Sequence, residues 1–342
     1  RVKASLDSLA LQTNTNFEVR FVDYGSEQKY VGLIYELLQN YSFVNYSYHP
    51  TQLQPWNKSK ALNSIIRNLT TDYCFVADID MLFHPQFVDS LHQLKHPQKA
   101  TYFQVGFLSL NETKKTKPFS KYQIKFKSTE GATGMTLFPV LMLQELRGFD
   151  EFYHFWGAED TDMHDRLRNY GVEVEFYNKE LLIIHQWHPS YRSKETNQLS
   201  KELQLKGVVQ LNHRRCLEAL TEKKTVVNDE NWGQVLTQVD IDKLIKTDKN
   251  YTISNIQDKI DYFLYMVLPF LDPNTYTFIF EQDPFQKSLK YHIKKRIGKK
   301  VPLYYSLKEI NDRILLNMIV FNRKHIYTYE VRADLKQIIL KI

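Results

Sequence analysis

Four carboxylates lie within nine residues of one short segment, directly after a tryptophan and a glycine (residues 156–167, WGAEDTDMHDRL). Apolar residues at i, i+4 and i+7 from Met163 predict a short amphipathic helix. Glu159, Asp160 and Asp162 then stand at its N-terminus, where the helix dipole favours anions. Acidic caps on an exposed helix would explain one or two of these groups. Beside an aromatic ring, the others could bind sugar hydroxyls.

A second acidic pair, Asp78-Ile79-Asp80, closes a strand-like stretch. On an extended backbone residues i and i+2 point the same way, so both carboxylates can face one site. Converging carboxylates repel unless a cation lies between them, and Mg²⁺ or Mn²⁺ prefers such oxygen ligands. Taken alone, the motif is slightly more typical of a turn with a helix cap.

Two histidines follow the apolar stretch LLII (residues 181–184), which predicts a strand that delivers His185 and His188. A lone histidine after such a strand is more often a core residue than a ligand. After two acidic clusters, however, histidine is also a good ligand for Mn²⁺. One carboxylate could then act as a base and others hold substrate, while a metal is held elsewhere.

The composition is ordinary for a soluble globular protein, with 342 residues of which 43% are apolar and 25% charged. The apolar run from Tyr262 to Leu271 contains Pro269 and is too short to span a membrane. Cys74 and Cys216 lack zinc-binding spacing and suggest free thiols in a reducing compartment. We therefore expect a cytoplasmic protein without a signal peptide, and the net charge of +6 is too small to indicate nucleic-acid binding.

Strand-like and helix-like segments alternate over the first two hundred residues. Residue types predict strands at 17–23, 43–48, 73–78, 101–110 and 133–138, and periodicity predicts helices at 27–40, 58–69 and 85–95. This alternation predicts an α/β fold with a mostly parallel sheet flanked by helices, in which ligands bind at the carboxyl ends of the strands. Because the chain opens in a helix-like segment, we expect the first strand of such a sheet to be missing from it.

The length predicts a large and a smaller domain, which we place at residues 1–222 and 223–342. In the second domain, residues 275–280, 318–321 and 325–331 predict strands, hence a mixed α+β structure. The segment from Lys287 to Lys300 (KSLKYHIKKRIGKK) holds seven basic residues and no acid. A solvated helix face is the simpler interpretation, and peripheral contact of its basic residues, Leu289, Tyr291, Ile293 and Ile297 with an anionic membrane is the alternative.

Five motifs occur in the order found in GT-A-fold glycosyltransferases of the family-2 type. Residues 22–26 (VDYGS) resemble the VDDGS segment of that family, and residues 56–63 (WNKSKALN) resemble FNRAKLLN of β-1,4-galactosyltransferases. Residues 78–80 (DID) are similar to their DxD motif, and residues 148–162 to their NGF…GWGGEDDD element. His185-Gln186 resembles the metal-binding pair of bacterial chondroitin-type polymerases. The likeness extends over residues 1–215.

The resemblance implies a role for each matched residue. Asp80 would bind Mn²⁺ (or Mg²⁺), His185 would complete the coordination, and Asp78 would contact the metal or the ribose. Asp160 would be the general base, and Glu159 would bind a sugar hydroxyl. A UDP-sugar donor would be bound by Asp23, Lys58, Asn63, Asp78, Trp156 and Gly157.

Three positions depart from the family pattern. Ala158 replaces a glycine, and the first tryptophan of the galactosyltransferase element is here Phe155 or lies in a different register. Lys58 replaces an arginine, which keeps the positive charge but loses the bidentate fork. The related polypeptide GalNAc-transferases, which retain the anomeric configuration, typically carry asparagine where Asp160 stands. A single base with no opposed nucleophile implies inversion at the anomeric carbon.

The sequence therefore predicts an inverting, metal-dependent glycosyltransferase. It would move a hexose or N-acetylhexosamine from a UDP-sugar to a saccharide or lipid-linked saccharide, in the synthesis of a surface polysaccharide or glycan. A retaining hexosaminyltransferase and a non-catalytic sugar-binding subunit stay open as alternatives. Intact Asp80, Asp160 and His185 argue against the non-catalytic subunit.

Overall fold

A computed structural model describes residues 1–189, 197–247 and 249–342. Its strands are β1 (Val19–Tyr24), β2 (Val44–His49), β3 (Tyr73–Val76), β4 (Met81–Phe83), β5 (Lys99–Phe103), β6 (Val105–Phe107), β7 (Phe126–Lys127), β8 (Thr136–Pro139), β9 (Glu173–Tyr177), β10 (Ile183–His185), β11 (Lys249–Ser254), β12 (Tyr276–Glu281), β13 (Thr328–Val331) and β14 (Gln337–Lys341). Its α-helices are α1 (Val2–Ala10), α2 (Gln28–Leu38), α3 (Lys58–Ile66), α4 (Phe87–Leu94), α5 (Leu110–Thr113), α6 (Val140–Glu145), α7 (Glu159–Asn169), α8 (Val208–Thr221), α9 (Gln238–Ile245), α10 (Gln257–Tyr262), α11 (Leu289–Arg296) and α12 (Leu307–Asn317).

The chain divides into two compact units. The first contains the described residues of 1–48, 57–193 and 209–235, and the second those of 49–56, 194–208 and 236–342. The sequence placed the boundary after residue 222, whereas residues 223–235 belong to the first unit. They stay there because Trp232 packs in its core and the Asn228 side chain donates a hydrogen bond to the Phe149 carbonyl at 2.7 Å.

The first unit has the predicted α/β architecture of sheets flanked by helices. One sheet has the order β3-β8-β5-β9, another the order β4-β10-β6-β7, and β1 pairs with β2. Pairing in the larger sheets is mixed, not mostly parallel: β8 is antiparallel to β3 and β5, and β9 is parallel to β5. The chain reverses direction at β7, which runs antiparallel to β6. Because no helix lies between β7 and β8 to turn the chain again, β8 keeps the reversed direction.

Alternating side chains of β8 bury both faces of the central sheet. Leu137 packs in one apolar cluster, with Phe83 and Phe103, and Phe138 packs in another on the opposite face. The second cluster also contains Met163 and Leu167 of α7. The apolar stripe predicted for this helix therefore fixes it on the sheet and leaves its acidic N-terminus free for other contacts.

The second unit contains a sheet of order β11-β12-β14-β13 and the helices α9 to α12. β12 and β13 confirm two of the three strands predicted there, and β11 and β14 were not predicted. The third prediction is wrong, because Met318–Asn322 is a π-helical turn that continues α12. Its apolar residues extend the buried stripe of Ile310 and Ile314 at helical spacing.

No helix of the described residues has the length and apolar character that a membrane span requires. Both cysteines are free thiols, as the spacing of Cys74 and Cys216 predicts.

Candidate active site

Lys58, the first residue of α3, joins the two acidic clusters that the sequence contains. Its Nζ lies 3.0 Å from Asp160 Oδ2, 3.3 Å from Asp78 Oδ1 and 3.5 Å from Glu159 Oε1. Asp78 follows a strand and the two other carboxylates open α7. A single ammonium group is therefore shared by three carboxylates from two elements.

Burial governs the charges of this cluster. It raises the pKa of Asp160 to about 7, with Lys58 opposing the rise and Glu159 and Asp78 adding to it. Burial lowers the pKa of Lys58, but the three carboxylates outweigh it and hold that pKa well above its ordinary value. Lys58 is therefore charged at neutral pH, and Asp160 binds a proton more readily than an ordinary aspartate, as suits a general base.

The start of α7 positions Asp160 through an unusual backbone. Phe155, Gly157 and Ala158 all have left-handed conformations, with φ of 63°, 100° and 75°. Glycine adopts this region without strain, but Ala158, which replaces a glycine of the galactosyltransferase element, adopts it at a cost. Gly134 leaves room beside the carboxylate, since a Cβ there would lie 3.4 Å from Asp160 Oδ2.

Asp162, another of the clustered carboxylates, anchors α7 from inside the unit. Arg166 Nε donates to Asp162 Oδ2 at 2.7 Å, and the Tyr153 hydroxyl donates to Oδ1 at 3.1 Å. The remaining guanidinium N–H groups of Arg166 donate to three backbone carbonyls. Because Asp162 and Arg166 are buried, this carboxylate has a structural role.

Asp80, His185 and His188 form a group whose ligand atoms lie within 4.8 Å of one another. Nε2 of His188 is 3.1 Å, and Nε2 of His185 3.5 Å, from Asp80 Oδ2. The histidines reach Asp80 because β10 pairs antiparallel with β4, which places His185 opposite Met81. Gln186 reinforces this pairing, since its backbone N–H and side-chain amide both donate to the Asp80 carbonyl, at 3.0 and 3.1 Å.

One carboxylate and two imidazoles are a suitable donor set for a divalent cation such as Mn²⁺. Oδ1 of Asp80 is buried without a hydrogen-bond partner in the described part of the chain, which leaves an acceptor that a cation would satisfy. Nδ1 of His188 lies 2.8 Å from the Pro189 carbonyl, so it carries the proton and Nε2 offers its lone pair. Burial, partly opposed by Asp80, lowers the pKa of His185 and keeps its imidazole neutral.

Asp78 and Asp80 make different contacts, although the sequence predicted that both face one site. β3 ends at Val76 and a turn follows, so the extended-chain argument fails there. Asp80 contacts the histidines, whereas Asp78 pairs with Lys58. Asp78 therefore connects the metal-ligand group with the Asp160 cluster.

Asp23, near the carboxyl end of β1, is buried and hydrogen-bonded. Its Oδ1 accepts from the Ser26 backbone N–H at 2.9 Å, and its Oδ2 accepts from the Tyr46 hydroxyl at 3.0 Å. Burial and the Asp23 charge raise the pKa of Tyr46, which keeps this donor protonated. Each carboxylate oxygen retains a further lone pair, which the predicted contact with a nucleotide base would use.

Asn63 does not fit its predicted contact with the nucleotide. Its side chain is fully buried, donates to the Phe149 carbonyl at 2.8 Å and to Glu151 Oε1 at 3.1 Å, and accepts from the Phe149 N–H at 2.8 Å. Gly148 lies so close that a Cβ there would be 2.1 Å from Asn63 Oδ1. Asn63 instead holds the loop before α7 against α3.

Trp156 is exposed and does not belong to the core. Its carbonyl accepts from the Asn212 side chain at 3.1 Å. A Cβ on Gly157 would meet nothing within 4 Å, so glycine serves the backbone conformation there and not a close approach. The family resemblance assigned no role to His188, which the structure places beside Asp80 and His185 as a third candidate ligand.

Two family models match the chain. The model described as glycosyl transferase family 2 matches residues 1–137, and the model described as the N-terminal domain of galactosyltransferase matches residues 114–189. Together they include Lys58, Asp160 and all three candidate metal ligands. Residues 1–189 are therefore similar to glycosyltransferases of the family-2 and galactosyltransferase types.

The chain also resembles solved structures at 12–16% identity. S. aureus TarS 1–349 aligns over 54% of this chain and 56% of its own, with a TM-score of 0.41. GalNAc-T7 with UDP, GalNAc and Mn²⁺ aligns over 63% and 44%, with a TM-score of 0.44, and Drosophila β1,4-galactosyltransferase 7 with xylobiose over 54% and 76%, with a TM-score of 0.31. The chain thus spans about half the length of TarS 1–349 and of GalNAc-T7. No curated protein sequence matches it.

Proposed function

We propose that the protein is an inverting, metal-dependent glycosyltransferase that moves a hexose or N-acetylhexosamine from a UDP-sugar to a saccharide acceptor. The observation that carries this proposal is the half-buried Asp160 carboxylate, with a pKa of about 7, linked through Lys58 and Asp78 to the metal-ligand group at Asp80. In one transfer reaction the base would act on the acceptor hydroxyl, and the cation would act on the departing diphosphate.

In the proposed reaction Asp160 accepts the proton of the attacking acceptor hydroxyl. The acceptor oxygen bonds to the anomeric carbon as the bond from that carbon to the diphosphate breaks, and the electron pair leaves with UDP. Lys58 holds Asp160 in place by hydrogen bonds to both of its oxygens, at 3.0 and 3.3 Å. Glu159 and the exposed Trp156 ring stand beside the base, where they would bind a sugar through its hydroxyls and its face.

Asp80, His185 and His188 would hold the cation. When bound, Mn²⁺ or Mg²⁺ would supply Lewis-acid neutralisation of the diphosphate charge. Asp23 would orient the nucleotide base from the carboxyl end of β1, where ligands bind in α/β sheets.

Inversion is favoured over retention because Asp160 is ionisable and sits at the helix start where a base is needed. The product's anomeric configuration, read by NMR from an α-linked donor, separates the two: a β-glycoside supports inversion, and an α-glycoside would establish the retaining hexosaminyltransferase instead.

A donor screen tests the activity itself. UDP-Gal, UDP-GalNAc, UDP-Glc, UDP-GlcNAc and UDP-GlcA are offered with Mn²⁺, and UDP release is scored. We expect release with one or a few donors, loss of release in EDTA and loss in Asp80→Ala. Binding of a donor without release, with every acceptor tried, would favour the non-catalytic sugar-binding subunit. Full activity in EDTA would contradict the metal assignment.

Two free cysteines support a place for this reaction in a reducing compartment such as the cytoplasm. A saccharide acceptor there would be consistent with assembly of a surface polysaccharide or glycan, which remains part of the proposal.

A further inference from the structure

The helix α11 of the second unit is held by one aromatic residue and presents apolar side chains to solvent. Tyr291 is only 8% exposed, and its ring packs on Phe285 at 5.8 Å and on Tyr304 at 5.6 Å. Residues two positions apart differ by roughly 200° around a helix, so Leu289 and Ile293 point away from this anchor. They are 81% and 59% exposed. Tyr291, which the sequence placed among the outward residues, is the exception that fixes the helix.

The segment that carries this apolar stripe contains only positive charges. Seven basic residues and no acid occur from Lys287 to Lys300. None of the seven forms an ion pair within the described part of the chain. Lys294 and Lys295 instead lie 6.0 and 5.8 Å from the ring centres of Phe285 and Tyr291. The helix therefore combines exposed apolar groups with positive charge that no carboxylate of the described chain neutralises.

A second exposed apolar element lies in the same unit. In α10 and the turns that follow it, Tyr262, Met266 and Phe270 are exposed, while neighbouring apolar residues are buried. The backbone N–H of Gln257, at the start of α10, donates to the carbonyl of Leu303 at 3.0 Å. The next residue, Tyr304, carries the ring that packs on Tyr291 of α11. The start of α10 and the Tyr291 side of α11 therefore contact adjacent residues, Leu303 and Tyr304.

We propose that these elements form a docking surface for an anionic lipid membrane. The docking surface is defined by Leu289, Ile293, Ile297, Tyr262, Met266 and Phe270 together with the basic residues from Lys287 to Lys300. An apolar stripe with flanking lysines can enter the headgroup region while its charges meet anionic lipids. A nucleic-acid surface would use the charge but not the apolar stripe, and an apolar protein interface would leave seven cations without partners.

The test measures binding of the full chain to vesicles of phosphatidylcholine with and without phosphatidylglycerol, by co-sedimentation. We expect binding to the anionic vesicles that weakens as salt is added. Replacing Lys294, Lys295 and Arg296 by glutamine should weaken it roughly 100-fold at low ionic strength. Ile293→Asp should weaken it about tenfold or more, because an apolar contact is lost and a negative charge is introduced.

The second unit offers matched controls. Ile245→Asp alters α9, a helix of the same length, at an isoleucine that is 63% exposed, against 59% for Ile293. Phe270→Ala is matched by Phe321→Ala, since both rings are 75% exposed. We expect Phe270→Ala to weaken vesicle binding, and the two controls, Ile245→Asp and Phe321→Ala, to leave it intact. Melting curves check that each variant is folded.

Equal losses in Ile245→Asp and Ile293→Asp would overturn the proposal, as would equal binding to neutral and anionic vesicles. Absence of vesicle binding at low salt would overturn it as well. If sedimentation in solution instead shows a dimer that Ile293→Asp dissociates, and vesicles are not bound, the face joins two copies of the chain. None of these measurements requires glycosyl transfer, so their outcome is independent of the proposed enzymatic function.

Discussion

Asp160 is the residue on which the proposed chemistry depends most. Asp160→Asn keeps the size and hydrogen bonding of the side chain but removes its ability to accept a proton. We expect kcat to fall by roughly 10²–10⁴, with little change in donor affinity. Asp165→Asn is the control, because Asp165 lies on the same helix and pairs with Arg168 away from the cluster. A kcat near wild type in Asp160→Asn would remove the base assignment.

The pH dependence follows from the same carboxylate. Burial raises the pKa of Asp160 to about 7, so its ionised, proton-accepting form is lost as the pH falls through neutrality. We expect kcat to decline below about pH 7, whereas a carboxyl with an ordinary pKa would keep the rate constant to about pH 5. Stopped-assay rates across pH, at saturating donor and acceptor, measure this. The residual rate of Asp160→Asn should lack this decline. A decline at low pH that the wild type and Asp160→Asn share would come from the titration of another group.

Single residues could be predicted from the sequence where their type alone restricts their use. Asp80, Asp160 and His185 are ionisable or metal-binding groups next to recognisable motifs, and the structure brings each into a polar cluster. Asn63 could not be assigned in this way, because an amide serves equally well for a ligand or for a backbone loop. Only its burial and its bonds to Phe149 distinguish the two roles.

At the scale of elements, α7 depends on its buried ion pair. Arg166→Ala leaves Asp162 buried and unpaired and removes donors from three backbone carbonyls. We expect the free energy of unfolding to drop by about 3–5 kcal/mol. Arg168→Ala, which removes an exposed pair with Asp165 on the same helix, should cost less than about 1 kcal/mol. Urea denaturation of both variants provides the comparison, and similar losses would contradict the anchoring role of Arg166.

The loop before α7 makes a second prediction about an element. In Gly148→Ala the new Cβ would lie 2.1 Å from Asn63 Oδ1 and 2.7 Å from the Trp232 ring, at a φ of +68°. We expect a loss of about 2–5 kcal/mol in unfolding free energy from overpacking and backbone strain. Gly157→Ala has a φ of +100° but open space, so only the strain of about 1–2 kcal/mol applies. The difference in unfolding free energy between the two variants, from denaturant titrations, measures the cost of the contact with Asn63 and Trp232. Equal losses in the two variants would mean that the loop shifts to accommodate the new Cβ.

Element types were more predictable than their pairing. The helices α2, α3 and α4 and the strands β1, β2 and β3 lie within a few residues of their predicted positions, because hydrophobic period decides between helix and strand. The direction of β8 depends on how the chain returns after β7, which period does not encode. Hydrophobic period also does not show that β3 ends at Val76, two residues before Asp78. Because the strand ends there, Asp78 and Asp80 make different contacts.

At the scale of the whole molecule, the two units differ in how much their sequence reveals. The motifs of the first unit lie at strand ends and helix starts, where chemistry restricts residue choice. The second unit has no such motif, and the sequence grouped Tyr291 with the exposed residues of α11 although its ring is buried. The boundary also eluded sequence analysis, since residues 49–56 belong to the second unit although they stand between two segments of the first.

The division into units predicts how a metal ion acts on stability. Each unit contains its own buried apolar residues, so we expect calorimetry to show two transitions. Mn²⁺ at a hundred times its Kd should stabilise the first unit by about 2.7 kcal/mol, which for a unit of this size raises its Tm by roughly 5–10 °C. His188→Ala should abolish the shift, because it removes one of three ligands, while His213→Ala, an exposed histidine of α8, should retain it. A shift that persists in His188→Ala, or one that moves both transitions equally, would show that Mn²⁺ binds elsewhere in the chain.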